Sequence, residues 1–188
     1  MDKARDIGGK KMTKNLTPEN IVKTFKDEFK TKIKHSRIEK HSSGAKKYEM
    51  IHIWFEIDKN IFKDFVKQLF KLEKYPHLAV ASGYEEGKNI KLVYHFSIYF
   101  SERGKELSIN VTVDLPKSKP EIETITDLIP GALITEQEKQ EMLGVKVIGI
   151  PKNERVFISH DFPEGMYPWR KDKTNADKMA RNLHEVKK

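Results

Sequence analysis

The sequence predicts an α+β domain, a mainly antiparallel sheet covered by helices, followed by an extended segment rich in proline and aromatic residues. Three observations carry this reading. Apolar residues alternate strictly at 51–57, 92–100 and 107–115, the two-residue period of half-buried strands. Apolar stripes at helical spacing occupy one segment before the first of these runs and one just after it. Six of the eight prolines fall after Leu115, where the periodicity stops.

Taken in order, residues 1–14 are polar and aperiodic and are expected to be disordered. Thr17 and Pro18 supply an N-cap and a first-turn proline. Ile21, Val22, Phe25, Phe29 and Ile33 then predict a basic amphipathic helix over 18–34. His41 to Gly44 reads as a loop. Ile51, Ile53, Phe55 and Ile57 form the first strand. Asp58 is a natural cap for the next helix, whose stripe is Ile61, Phe62, Phe65, Val66, Leu69 and Phe70 and which stops before Pro76. A short strand at 78–84 and a turn at 86–89 lead into the long strand ending at Phe100. Arg103-Gly104 turns the chain into the last of the three alternating runs. The order is α-β-α-β-β-β, with hairpins joining the last three strands.

Beyond Leu115 the prolines at 120 and 130 bound a short apolar segment, expected to be a helix over 120–132. Thr135-Glu-Gln-Glu138 has the spacing of a capping box. The helix it would open closes at Gly144, a residue suited to a left-handed C-cap. Val145, Val147, Ile148 and Ile150 add one strand, so the α+β domain spans 15–149. From 150 to 188 there is no period, yet Phe157, Phe162, Tyr167 and Trp169 are large apolar groups. Such a tail either lies over its own domain or wraps a partner with its rings as anchors. The partner reading is preferred, and the polar end, 171–188, is expected to be a frayed helix.

Composition narrows the functional classes. The chain has 188 residues and no cysteine, which excludes disulfide scaffolds, thiolate metal sites and thiol catalysis. The longest nearly apolar run, 92–100, is too short to span a bilayer. With no apolar stretch near its start resembling a secretory signal, the protein is expected to be soluble and intracellular. The Cys-free, Lys/Glu-rich composition is one often met in thermophiles. Net charge is +8 and unevenly placed: +3 over 1–14, +6 over 23–47 and +3 over 171–188, which leaves −4 for the rest. A basic stripe of this kind can track phosphates, so a nucleic-acid-binding module using the helix at 18–34 is the alternative function. More often such lysines are a solvated face.

Candidate chemistry is sparse. There is no Gly-rich phosphate loop in a strand–helix context and no Ser in a nucleophile elbow. The seven histidines are dispersed, and His52 and His95 read as hydrogen-bonded structural groups within strands. No catalytic, cofactor-binding or metal-binding residue is expected in this chain, and an independent enzyme whose site is not visible in the sequence stands as a further alternative that no residue supports.

The run from Ala132 to Val145 (Ala-Leu-Ile-Thr-Glu-Gln-Glu-Lys-Gln-Glu-Met-Leu-Gly-Val) resembles the signature of the thirty-kilodalton, or C, subunit family of respiratory complex I. That signature reads Ala-x-Trp-x-Glu-Arg-Glu-x-x-Asp-Met-x-Gly-Ile. Downstream, Gly149-Ile-Pro151, Arg155, Asp161-Phe162-Pro163, Gly165 and Tyr167-Pro168-Trp169-Arg170-Lys171-Asp172 resemble the family's ending. The likeness covers about 120–172. The chain departs at Ile134, Gln137, Glu141 and Ile150, which suits the counterparts in membrane-bound nickel–iron hydrogenases and sulfane-sulfur reductases.

The resemblance implies a cofactor-free, non-catalytic subunit beside a hydrogenase-like large subunit. A small iron–sulfur subunit and membrane-arm subunits complete the expected partners. Iron–sulfur clusters, and in some members nickel–iron, belong to those partners. It also implies a peripheral place at the cytoplasmic face of the membrane, with no nucleic acid. The residues expected to meet partners are Glu136, Glu138, Glu141, Gly144 and Arg155, then Phe162, Pro163, Gly165, Tyr167, Pro168 and Trp169. Arg170, Lys171 and Asp172 would form a docking patch of mixed charge.

Overall fold

The computed structural model describes residues 16–44, 47–101, 104–151, 154–176 and 179. The segment expected to be disordered, 1–14, and most of the end expected to be a frayed helix lie outside them.

Thr17 accepts a hydrogen bond from the Asn20 backbone, and Pro18 opens helix α1 (Pro18–Phe29). The helix is shorter than the apolar spacing predicts. Lys30 ends it, a 3-10 turn follows, and Ile33 begins strand β1 (Ile33–Ser43). The sequence does not predict this strand: Ile33 falls on the helical period, and His41–Gly44 reads as a loop. It is an edge strand with mostly polar side chains, so its alternation is invisible. It pairs antiparallel with β2 (Tyr48–Ile57).

Asp58 caps as expected, by accepting from the Asn60 backbone, although a 3-10 turn precedes helix α2 (Phe62–Leu72). Strands β3 (His77–Glu86), β4 (Asn89–Ile98) and β5 (Leu107–Pro116) follow in antiparallel succession. β5 then lies parallel to β2, so the five-stranded order is β1-β2-β5-β4-β3. With β1 and the elements beyond β5 included, the order is longer than the predicted α-β-α-β-β-β.

Helices α1 and α2 cover one face of this sheet. Phe25 sits 4.5 Å from Phe65 and 5.4 Å from Phe55 between ring centroids, and Phe62 packs 4.4 Å from Tyr94. These rings and the Ile and Val rows of β2, β4 and β5 are buried and form the core.

The segment 120–132 is not a helix. Glu121–Glu123 forms β6, which pairs parallel with β7 (Lys146–Ile148), and turns run on to Gly131. Ile122 and Ile125 are buried there, so their helix-like spacing reflects packing against the core rather than a helical turn. Helix α3 (Ala132–Leu143) starts earlier than the capping-box spacing suggests. Thr135 is therefore inside the helix. Its hydroxyl accepts from the Ala81 N–H (3.3 Å) and donates to the Ala81 carbonyl (3.1 Å) on β3. Gly144 ends α3 at φ 68°, the left-handed cap expected of it.

Candidate functional site

Helix α3 crosses the outer edge of β3, and residues 154–176 lie along its far side. Gly83 permits the close approach: a Cβ there would stand 2.8 Å from a Leu143 methyl and 2.9 Å from a Leu92 methyl. Every stretch of the chain singled out by the sequence motif meets at this helix.

Glu136 points inward and is 1% exposed. It accepts from the Thr124 hydroxyl (2.5 Å) and the Ile125 N–H (2.9 Å), tying α3 to the strand–turn segment after β6. Burial raises its pKa above the ordinary carboxylate range, although both hydrogen bonds favour the charged form. The nearby Lys63–Asp127 ion pair (3.0 Å) adds opposing charges, and Lys63 holds the Asp127 carboxyl below its usual value. Across the core, burial and the Glu136 charge push the Tyr94 hydroxyl upward.

Glu141 does different work. Its two oxygens accept from three successive backbone N–H groups, those of Val156 (2.7 Å), Phe157 (2.9 Å) and Ile158 (2.8 Å). A carboxylate satisfied by three amides is a strong local anchor for a segment with no regular structure of its own. Arg155 completes that loop by donating through Nη1 to the carbonyls of Ser159 (3.0 Å), His160 (3.3 Å) and Phe162 (2.8 Å).

The segment returns to the end of α3. The Tyr167 ring lies against Gly144, where a Cβ would meet it at 2.5–2.8 Å. The Trp169 backbone N–H donates to the Met142 carbonyl (3.0 Å), and Arg170 Nε donates to the Leu143 carbonyl (2.7 Å). Two carbonyls of the last helical turn are thus satisfied. Lys139 is buried, ion-paired with Glu138, and its ammonium stands 5.0 Å from the Trp169 ring centre. The Lys171 backbone N–H donates to Glu85 (2.9 Å), whose carboxylate also pairs with Lys117. Burial favours the neutral form of Glu85, but those two partners outweigh it and its pKa lies below the ordinary range. Arg170 and Lys117 both stand near Asp172, at 3.6 Å and 3.9 Å.

The polar groups of Glu136, Glu141, Arg155 and Arg170 are therefore spent inside the chain. Three large apolar groups stay exposed here, Ile134 (51% exposed), Phe157 (44%) and Trp169 (42%), beside exposed polar residues such as Glu154, His160 and Glu164. A cleft of about 270 Å³ between Leu78–Val80 of β3 and Gly131, Ile134, Glu138 and Phe157 belongs to the same surface. Phe162, Pro163, Gly165 and Pro168 lie in the irregular stretch between the Arg155 loop and Trp169. Thr124, Thr135, Lys139 and Gly83 complete the site, although no sequence motif marks them as functional. Gly83 left the one legible signal, a glycine inside a strand. Among the described residues no group of three or more His, Asp or Glu is placed to hold a metal ion, and no helix is long and apolar enough to cross a membrane. His95 bridges Asn110 (2.6 Å) and Ser82 (3.3 Å), the structural role expected of it.

A model of the family described as the respiratory-chain NADH dehydrogenase 30 Kd subunit matches residues 55–178. The beta subunit of the membrane-bound hydrogenase of Pyrococcus furiosus is 28% identical over 131 residues, 69% of this chain and 75% of that one. The C subunit of the NADH-quinone oxidoreductase of Moorella thermoacetica is 36% identical over 92 residues, 49% of this chain and 58% of that one. A chain in the structure of a membrane-bound sulfane sulfur reductase, an archaeal respiratory membrane complex, superposes with a TM-score of 0.63 at 21% identity. The match covers 90% of this chain and 95% of that one, a likeness of fold.

Proposed function

The chain belongs to the family of the respiratory-chain NADH dehydrogenase 30 Kd subunit, and from that premise we propose that it is a non-catalytic subunit of a membrane-bound, ion-translocating oxidoreductase. Its work is to dock and hold a hydrogenase-like large subunit. A small iron–sulfur subunit and membrane-arm subunits are the further partners, and the cytoplasmic face is its place. The redox centres belong to those partners. Support comes from relatives of hydrogenase, quinone-oxidoreductase and sulfane-reductase type.

The observation that carries the docking role is the division of labour at α3. The charged motif residues build a rigid platform, and the rings and aliphatic groups they fix stay outside. A preorganised apolar row of this kind suits the centre of a protein–protein interface, where Trp, Phe and Ile act as anchors at low ordering cost.

The test is affinity purification of the tagged chain from its own membranes in mild detergent, with mass spectrometry of what accompanies it. Recovery of a large subunit, an iron–sulfur subunit and membrane subunits is expected. The double variant Phe157→Ala/Trp169→Ala should keep its melting temperature within a few degrees and lose the large subunit. Wild-type recovery with the double variant would remove these two rings from the interface. A chain that always comes alone would end the subunit reading.

A further inference from the structure

The lysines at the opposite edge of the sheet form a face that the α3 site does not use. Lys23, Lys26 and Lys30 recur at spacings of three and four along α1, and Lys32 and Lys34 continue past its end. All five are exposed. Over 18–34 Glu19, Asp27 and Glu28 oppose them, a net of +2, and Glu19 and Asp27 flank Lys23 at four-residue spacing. Lys34 reaches Asp114 at 3.7 Å, while the other four have no ion-pair partner among the described residues.

Lys30 adds a second observation. It ends α1 at φ 49°, ψ −123°, a backbone region that suits glycine and strains any residue with a Cβ. Its N–H closes the helix on the Lys26 carbonyl, a bond that glycine would make equally well. A lysine kept where its backbone is strained points to use of its side chain.

The chemistry of the face selects a partner. Its cations are lysines, compact hydrated charges without the planar fork that reads a carboxylate or a guanine edge. The nearest arginine, Arg37, is already held by Glu39 (2.8 Å) and lies over the Trp54 ring (5.0 Å). Phe25 and Phe29 of the same helix turn toward the core, which leaves no ring on this face for stacking bases. Lysine is also depleted from protein–protein interfaces. A diffuse layer of lipid phosphates needs neither forks nor pockets, and it attracts each lysine near it.

We propose that the face formed by Lys23, Lys26, Lys30 and Lys32 seats on an anionic lipid surface. This rests on the reading of the chain as part of a membrane complex and adds an orientation to it. The outer side of α1, over β1 and β2, faces the bilayer. The β3–α3 edge, four strand spacings or about 19 Å from β1, stays free for protein partners.

The experiment is co-sedimentation of the full chain with phosphatidylcholine vesicles, with and without phosphatidylglycerol. Partition into the phosphatidylglycerol vesicles alone is expected, falling as salt rises. The variant Lys23→Gln/Lys26→Gln/Lys30→Gln/Lys32→Gln should partition on the order of 1,000-fold more weakly. Lys30→Gly should weaken partition about fivefold without lowering the melting temperature, separating the charge from the fold. Lys67→Gln, whose lysine pairs with Asp64 on α2, should partition as wild type does. Equal partition of wild type and quadruple variant would overturn the proposal, as would no partition at low salt. Tighter binding of wild type to a single-stranded oligonucleotide than to the anionic vesicles would overturn it in favour of nucleic acid. None of these outcomes bears on the purification of the complex, so the two readings fail separately.

Discussion

Along α1 and the 3-10 turn after it, four lysines stand in water without an ion-pair partner among the described residues. Around α3, by contrast, Glu136, Glu138, Glu141, Arg155 and Arg170 are each bonded within the chain. The two ends of one sheet use charge in opposite ways. Solvated lysines contribute little to the folded state because water and salt screen them. The groups at α3 have given up water for backbone amides and carbonyls, and removing any of them leaves those partners stranded. Residue type therefore says little here about role. A glutamate at α3 is architecture, whereas a lysine on α1 is available surface.

Substitutions can break or sharpen this contrast. The largest effect is expected at Gly144, where alanine meets both the left-handed backbone and the Tyr167 ring. Gly144→Ala should cost about 3 kcal/mol in chemical denaturation. Combining it with Tyr167→Ala should recover part of that, the remainder being the backbone cost, as a double-mutant cycle would reveal. Next, Glu141→Ala strands three amides. We expect about 2–3 kcal/mol less local protection, seen as exchange at residues 156–158 faster by about 100-fold. If exchange there stays as slow as in the wild type, the anchor lies elsewhere.

A smaller and pH-dependent effect belongs to Glu136. Its folded pKa lies above the ordinary value, so the native state holds this proton more tightly than the unfolded chain. That contribution is fully present below the ordinary carboxylate range and is lost as pH rises through the raised pKa. The melting temperature of Glu136→Gln should lack this decline, and the difference from wild type plotted against pH isolates it from Asp127, Glu85 and Asp172. Those three have lowered pKa values, so their contributions disappear as pH falls instead. The smallest effect is expected at the other end: Lys23→Gln/Lys26→Gln should change stability by less than about 0.5 kcal/mol. A larger loss would mean that the lysine face is structural after all.

What is legible in the residues follows the same division. Strands β2, β4 and β5 are legible because each buries one face and alternates cleanly. Asp58 and Gly144 are legible because capping is local chemistry. Strand β1 is not, since an edge strand with few buried side chains carries no alternation, and Ile33 falls by chance on the helical period of α1. The segment 120–132 misleads because Ile122, Ile125, Leu128 and Ile129 are spaced as on a helix, while the fold buries the first two from a strand and turn. Thr135 misleads in another way. It sits at capping-box spacing, but its hydroxyl is claimed by Ala81, 54 residues earlier in the chain. The motif residues of the site are all visible in the sequence, and only the structure reveals that Glu136 and Glu141 turn to their own backbone.

The bonds between Thr135 and Ala81 also set a schedule. β1 carries Lys34 and Lys40 on its own length, so that margin of the sheet is protected as soon as it is made. The opposite margin, β3, has its open amide and carbonyl at Ala81 closed by a helix encoded far downstream. A ribosome adding about 5–20 residues per second reaches that helix roughly 3–10 s after Ala81 is made. For that interval the growing chain displays an open strand edge, and the stretch from Ala132 to Leu143 acts as the stopper that ends its exposure to neighbouring nascent chains.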